Sequence, residues 1–444
     1  MSRLQQSAPR ATAAELSRWR NAVVVAYGAS GLAFSSWVSR LPAIRDGLNL
    51  TPGTVGLLLM CMTVASFVSV SASGVIVIRL GSRLTTRIGG AMVGVGLAVA
   101  GFGTSVLANP VVVAAGLMVI GLGTASWNTA SNVEGASLER ALERHIMPRL
   151  HGSFSLGTVA GAGLGAWAAA AGLPVFWHLA AAGLVVAVSV VTAAAWFRAD
   201  AARHSTGRGT AKAFKPEKPD TFEDPSTGPL PIIQPGKQKP AEPLDSKRMV
   251  ARAWRERRTL LLGLLVLGLA LAEGAAGDWV ALALADGHGQ SDAAGAVGYG
   301  IFVTFMTVGR FAGTVVLDRF GRVPVMRWCS ATAVVGLALF VFSPVPWLAF
   351  VALAIWGLGA SLGFPVGMSA AADDPAHAAA RVSVVSTIGY GAFLCGPPLL
   401  GLLAEHFGIL HSLLAVLVLL VASFLLAPVS RKRAPESARA GNPR

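Results

Sequence analysis

The stretch Glu273-Gly-Ala-Ala-Gly-Asp-Trp-Val-Ala-Leu282 echoes an earlier one, Gly31-Leu-Ala-Phe-Ser-Ser-Trp-Val-Ser-Arg40. Each lies in a long apolar run, and each is followed by an Asp-Gly pair, Asp46-Gly47 or Asp286-Gly287. Each then leads into Gly-x-Val-Gly, at Gly53 to Gly56 and at Gly295 to Gly298. Further on, Gly121-Leu-Gly-Thr-Ala is matched by Gly357-Leu-Gly-Ala-Ser. One such match means little in a Gly- and Ala-rich chain. Their common order marks an internal duplication.

Outward from this pair, the chain is a succession of apolar runs. Hydrophobic residues make up 54% of the 444 positions and charged residues 13%, too little charge to coat a soluble domain. The runs approach 20 residues, the helical length that crosses a ~30 Å hydrocarbon core. They fall at 21–40, 53–78, 88–108, 110–133, 151–172 and 175–197, then at 259–283, 295–317, 325–343, 347–371, 382–404 and 409–428. The expected fold is therefore an all-α integral membrane protein, with twelve transmembrane helices in two six-helix bundles (21–197 and 259–428). A tail over 1–20, a linker over 198–258 and a tail over 429–444 complete the chain. Two half-bundles able to rock about a central site are the usual build of a secondary transporter.

The net charge of +14 would suit nucleic-acid binding, but its distribution says otherwise. Of the 36 basic residues, all but Arg40, Arg45 and Arg310 fall in the tails, the linker and alternate loops. This is the positive-inside bias, which predicts cytoplasmic termini and linker in a bacterial inner membrane and no nucleic-acid partner. The linker carries eight prolines, fourteen basic and eight acidic residues, a composition that favours disorder. Its end, Arg252 to Arg258, reads as a flexible basic flank in preference to an interfacial helix. Cys61, Cys329 and Cys395 all sit in spans, with no CxxC or Cys/His cluster, so neither disulfides nor a structural metal is expected. Gly161-Ala-Gly-Leu-Gly165 resembles a dinucleotide loop but follows no strand and lies in a span, where small residues serve helix packing. The first span follows four arginines and reads as an uncleaved anchor.

Two loops carry a family likeness. Gly74-Val-Ile-Val-Ile-Arg79-Leu-Gly81-Ser-Arg83 and Leu317-Asp318-Arg319-Phe-Gly321-Arg322 resemble the major facilitator superfamily signature Gly-x-x-x-Asp-Arg-x-Gly-Arg, which appears once per half. The resemblance implies charges that latch neighbouring helices. Ile78 replaces the acid in the first copy, and Thr314 replaces the first glycine in the second. The intact latch is thus expected at Asp318 and Arg319, with Arg79, Gly81, Arg83, Arg310, Gly321 and Arg322 as the other loop and gating residues. Further stretches resemble a bacterial group distantly related to fucose permeases: Ser36 to Ile44, Trp127 to Asn132, His151 to Gly157, Glu273-Gly274, Gly309-Arg310, Gly389-Tyr390 and Gly396 to Gly401. In that branch an acid for proton coupling sits four residues before the span-four asparagine. Here the place holds Asn128, so Asn128 and Asn132 are expected to hydrogen-bond a polar substrate instead.

Ionisable residues within a bilayer are functional candidates by default. Glu273 stands ~21 Å from the start of its span at ~1.5 Å per residue, and it is the leading residue for coupling or substrate binding. A structural carboxyl held by a neighbouring helix is the alternative. The same arithmetic puts Arg310 ~22 Å from the other face, some ~10 Å away in depth. That separation argues against a Glu273–Arg310 pair and for a contact with Asp318 or the headgroups. Arg40 and Asp278 are placed to form an outer gate, flanked by Trp37 and Trp279 as interfacial anchors or stacking surfaces for a substrate. Glu134 reads as a boundary charge beside Glu139, Arg140, Glu143 and Arg144, whose spacing suits i,i+4 pairs on a solvated helix. Asp286, His288 and Asp292 share one loop, poor support for a metal site. Gly396-Pro397-Pro398 predicts a bend in span eleven.

The resulting expectation is a monomeric transporter moving a small solute by alternating access, driven by protons, without a cofactor or bound metal. Efflux of a drug-like molecule in place of uptake of a polar solute remains open. So does a non-transporting receptor or scaffold built on the same fold. An enzyme is disfavoured, because no nucleophile–base pair or phosphate loop appears in the sequence.

Overall fold

The computed structural model describes residues 12–142, 146–198, 243–374 and 377–432. Most of the two tails and of the 198–258 linker lies outside these residues, as do Glu143 and Arg144. Ten helices are long and apolar enough to cross a bilayer. One of them, Pro52–Ser105, holds both spans two and three. Met147–Ala170, rich in glycine and alanine, supplies span five and completes the twelve. No strand occurs among the described residues.

Span one is Ala13–Val38, followed by a short helix, Leu41–Leu48. Span four is Pro110–Leu142 and span six Val175–Ala193. Span seven, Arg257–Leu282, runs on into a π-helical turn, Ala283–Gly287. Span eight is Asp292–Phe320, its first turn capped by Ser291 Oγ accepting from the Ala294 N–H (3.2 Å). Span nine is Arg322–Phe342 and span eleven Ala378–Phe407. Span twelve comprises Ile409–Ser412 and Leu414–Leu426. Span eleven stays helical through Pro397 and Pro398, so the expected bend is not a break.

The two loop signatures share one backbone shape. Gly81 takes φ 79°, ψ 162° and Gly321 takes φ 76°, ψ 170°. This region belongs essentially to glycine, and it lets one helix end and the next begin with no intervening loop. Span ten is broken into Pro346–Ala360 and Gly363–Ala371. At the break Ser361 Oγ donates to the Leu358 carbonyl (2.7 Å), while the Ser361 carbonyl is left for a partner from another helix.

The described chain forms two compact units. One takes Met1–Trp37, Cys61–Gly161 and Pro174–Pro225; the other takes Val38–Met60, Ala162–Leu173 and Ser226–Arg444. In the first, a cluster of Trp19, Val23, Ala26, Leu138, Leu150 and Phe197 ties spans one, four, five and six together. Spans one and five cross on glycine. A Cβ at Gly31 would overlap the Phe154 carbonyl, and one at Gly157 would overlap the Gly28 carbonyl. In the second unit, the N-terminus of span two is capped from span eleven, Glu405 Oε1 accepting from the Gly53 N–H (3.1 Å).

The end of the linker departs from the flexible flank expected of it. Pro243–Ala253 is a helix, set earlier than the Arg252 to Arg258 segment. Ala253 packs on Ala380 and Val384 of span eleven, with Met249, Val250 and Ile388 closing the contact. Burial of this apolar face supplies the order that composition alone did not suggest.

Candidate solute and coupling site

Glu273 and Arg310 form an ion pair, contrary to the depth argument. Arg310 Nη2 donates to Glu273 Oε1 at 2.7 Å, and Arg310 Nε donates to the Ser361 carbonyl at 3.3 Å. The broken span ten thus offers the very acceptor that its own helix gave up. A guanidinium on a long stem acts well away from its Cα, which the rise-per-residue estimate ignored. The side chains of Arg310 and Glu273 are 34% and 27% exposed, so the pair is not sealed in a core. Asp278, further along span seven, is half-buried, with no hydrogen bond or ion pair among the described residues. Tyr299 of span eight is buried and within electrostatic reach of both carboxyls. Sequence reasoning missed Tyr299, since a tyrosine in an apolar span carries no signal of its own.

In the first unit, spans one and four are joined by neutral hydrogen bonds. Tyr27 Oη donates to Asn132 Oδ1 (2.5 Å), and Ser30 Oγ donates to Asn128 Oδ1 (3.0 Å). The bonds use the amide oxygens and leave both amide N–H₂ groups able to donate elsewhere. Tyr27 also meets His151 edge-on, ring centroids 5.3 Å apart. Trp37 and Trp279 are each 1% exposed. Both indoles are thus buried between helices.

The expected gate between Arg40 and Asp278 is not formed. Arg40, 4% exposed, donates from Nη2 to the Leu173 carbonyl at 2.6 Å. Its neighbour Arg45 forms the gate-like contacts, pairing with Asp46 (2.5 Å) and with Asp286 in the π turn. His288 bonds the Phe340 carbonyl (2.9 Å), and burial outweighs this bond to hold its pKa below the ordinary histidine value. Asp286 and His288 are therefore occupied separately, and no metal-ligand group is found among the described residues.

At the other end the latch differs from the expected one. Among the described residues Asp318 and Arg319 make no ion pair, and Arg319 lies 5.5 Å from the Phe320 ring. Arg322 takes their place. Its Nη1 donates to Asp373 Oδ1 (2.5 Å) and its Nη2 to Ser369 Oγ (2.9 Å), while Arg258 Nη2 donates to Asp373 Oδ2 (3.2 Å). Arg310, held by Glu273, does not reach Asp318. In the first unit the matching acid is Glu134, which is wholly buried and no boundary charge. It accepts from Trp19 Nε1 (2.6 Å), the Arg198 N–H (3.1 Å) and Ser82 Oγ. Arg83 donates to the Phe197 carbonyl (2.8 Å), whereas Arg79 is exposed.

The Major Facilitator Superfamily model matches residues 23–316 and 279–444. The chain belongs to this superfamily. An uncharacterized MFS-type transporter of Yersinia pestis is 26% identical over 405 residues, 90% of this chain and 93% of that protein. Among solved structures, the nucleoside transporter NupG aligns over 93% of this chain and 98% of its own, with TM-score 0.68 and 14% identity. The MFS transporter FucP in its outward conformation aligns over 93% and 98%, with TM-score 0.58 and 15% identity. These structures share the superfamily fold. The chain is accordingly a multi-pass membrane protein of a transporter superfamily.

Proposed function

We propose that this MFS protein takes up a small polar solute together with protons, and that the Glu273–Arg310 pair couples the two. The carrying observation is that pair itself, at 2.7 Å with both side chains partly exposed. An ionised pair away from water persists only while both partners are charged. Protonating Glu273 removes one charge and leaves Arg310 needing an acceptor, which a solute supplies. Deprotonation restores the pair and expels the solute. Asp278, without a hydrogen-bond or ion-pair partner among the described residues, is the second proton acceptor on span seven. The positive-inside bias supports a cytoplasmic position for the basic end.

The polar character of these groups favours sugars, nucleosides and related solutes over a drug-like efflux substrate. The test is uptake into proteoliposomes from a panel of labelled sugars, nucleosides and amino acids, with an inward proton gradient. At least one polar solute should accumulate, and a protonophore should abolish the accumulation. Accumulation that is indifferent to the protonophore would remove the proton from the scheme.

A further inference from the structure

The start of span seven and the end of span twelve enclose a cleft of about 460 Å³, lined by Arg257, Arg258, Leu261, Pro428, Val429 and Arg431. Arg258 is committed to protein, donating to Asp373, to the Val429 carbonyl (3.3 Å) and to the Arg431 carbonyl (3.0 Å). Arg257 and Arg431 are exposed, and among the described residues neither has an ion-pair partner. Among the described residues, two guanidinium groups without a counter-charge share one concave site with an apolar wall.

The internal repeat shows what such a corner looks like when it is closed. Aligning Trp37 with Trp279 brings Glu15 opposite Arg257. Arg198 follows the 3₁₀ turn Ala194–Trp196 at the end of span six, just as Arg431 follows the 3₁₀ turn Ala427–Ser430 at the end of span twelve. In the first unit Glu15 and Arg198 are paired at 3.1 Å, and Arg18 covers the Trp196 ring at 4.9 Å. In the second unit the acid is replaced by arginine and the ring by Val429-side aliphatics, leaving a cationic cleft where the first has a salt bridge. Leu260 and Leu425 are exposed on the adjoining helices, as expected beside acyl chains.

We propose that this cleft binds a phosphate-bearing anion, supplied by the headgroup of an anionic phospholipid. Basic pockets between helices at the cytoplasmic membrane surface suit this chemistry: arginine grips phosphate bidentately, and apolar walls receive the first part of the lipid tail. The cleft size fits a small headgroup.

The test uses full-length protein in neutral detergent, with thermal midpoints measured after adding phosphatidylglycerol, phosphatidylcholine or inorganic phosphate. Phosphatidylglycerol should raise the midpoint by about 3 °C or more, and phosphatidylcholine should not. Arg257→Glu installs in this corner the acid that the first unit carries, so it should fold at least as well as the parent. It should also lose the phosphatidylglycerol response, while Arg257→Lys keeps most of it. Equal responses to the two lipids, or an undiminished phosphatidylglycerol response in Arg257→Glu, would overturn the site. A response to inorganic phosphate as large as that to phosphatidylglycerol would overturn the lipid source and assign the cleft to a free anion.

Discussion

Single residues explain why the two halves differ where their sequences align. Glu273 stands opposite Gly31, and Gly31 has no room for a side chain because span five crosses there against the Phe154 carbonyl. Ile78 takes the acid position of the first loop and is 72% exposed. Glu273 was legible as a carboxyl in an apolar run; its partner was not, because side-chain reach and the broken span ten are invisible to a count along the chain. Glu134 was misread for a related reason. Its neighbours along the chain are charged and read as a solvated face, yet its partners Trp19, Ser82 and Arg198 come from elsewhere in the chain. Glu134→Ala takes the acceptor from the buried Trp19 indole N–H, so a loss of about 1–3 kcal/mol is expected. Unfolding of the purified variant in detergent checks this, and an unchanged thermal midpoint would contradict it.

Elements show the same mixture. The glycine signatures were visible in both loops, and the structure gives them one conformation, with φ 79° at Gly81 and φ 76° at Gly321. Gly81→Ala and Gly321→Ala should each cost about 1–3 kcal/mol, since that backbone region excludes a Cβ. Comparable losses in the two variants would show that the repeated turns do the same work; no loss in either would refute the strained-turn account. The break in span ten carried no signal, because Ser361-Leu362 is an ordinary pair for a helix. The cluster where span seven begins was equally hidden, since its partners come from distant segments. Burial raises the Glu256 pKa, but hydrogen bonds from Arg381 (2.7 Å) and Thr259 (2.8 Å), with the charges of Arg381 and Arg258, outweigh it and hold it below the ordinary value. A depressed pKa contributes stability that is complete above the unfolded value of ~4.3 and is lost as pH falls through the folded one. The advantage of the parent over Glu256→Gln should thus be full at neutral pH and shrink in acid below that range. An advantage that grows in acid would have the wrong sign.

For the whole molecule, the order of matched stretches and the distribution of basic residues carried most of the information. Twelve spans, the duplication and the superfamily were all readable, because bilayer thickness and backbone satisfaction leave few alternatives. The working groups were only half readable. Their types could be seen in the spans, but their pairings depend on how helices cross, and the crossings rest on glycines too numerous to rank by sequence. The central claim is that the acid retained in the second half couples protons to the solute. Its most direct measurement compares Glu273→Gln with the parent in proteoliposomes, using a solute found by the uptake panel, for both exchange and accumulation. Exchange of labelled for unlabelled solute should persist in Glu273→Gln, while accumulation driven by an inward proton gradient should vanish. Proton-driven accumulation at the parent level in that variant would contradict the account.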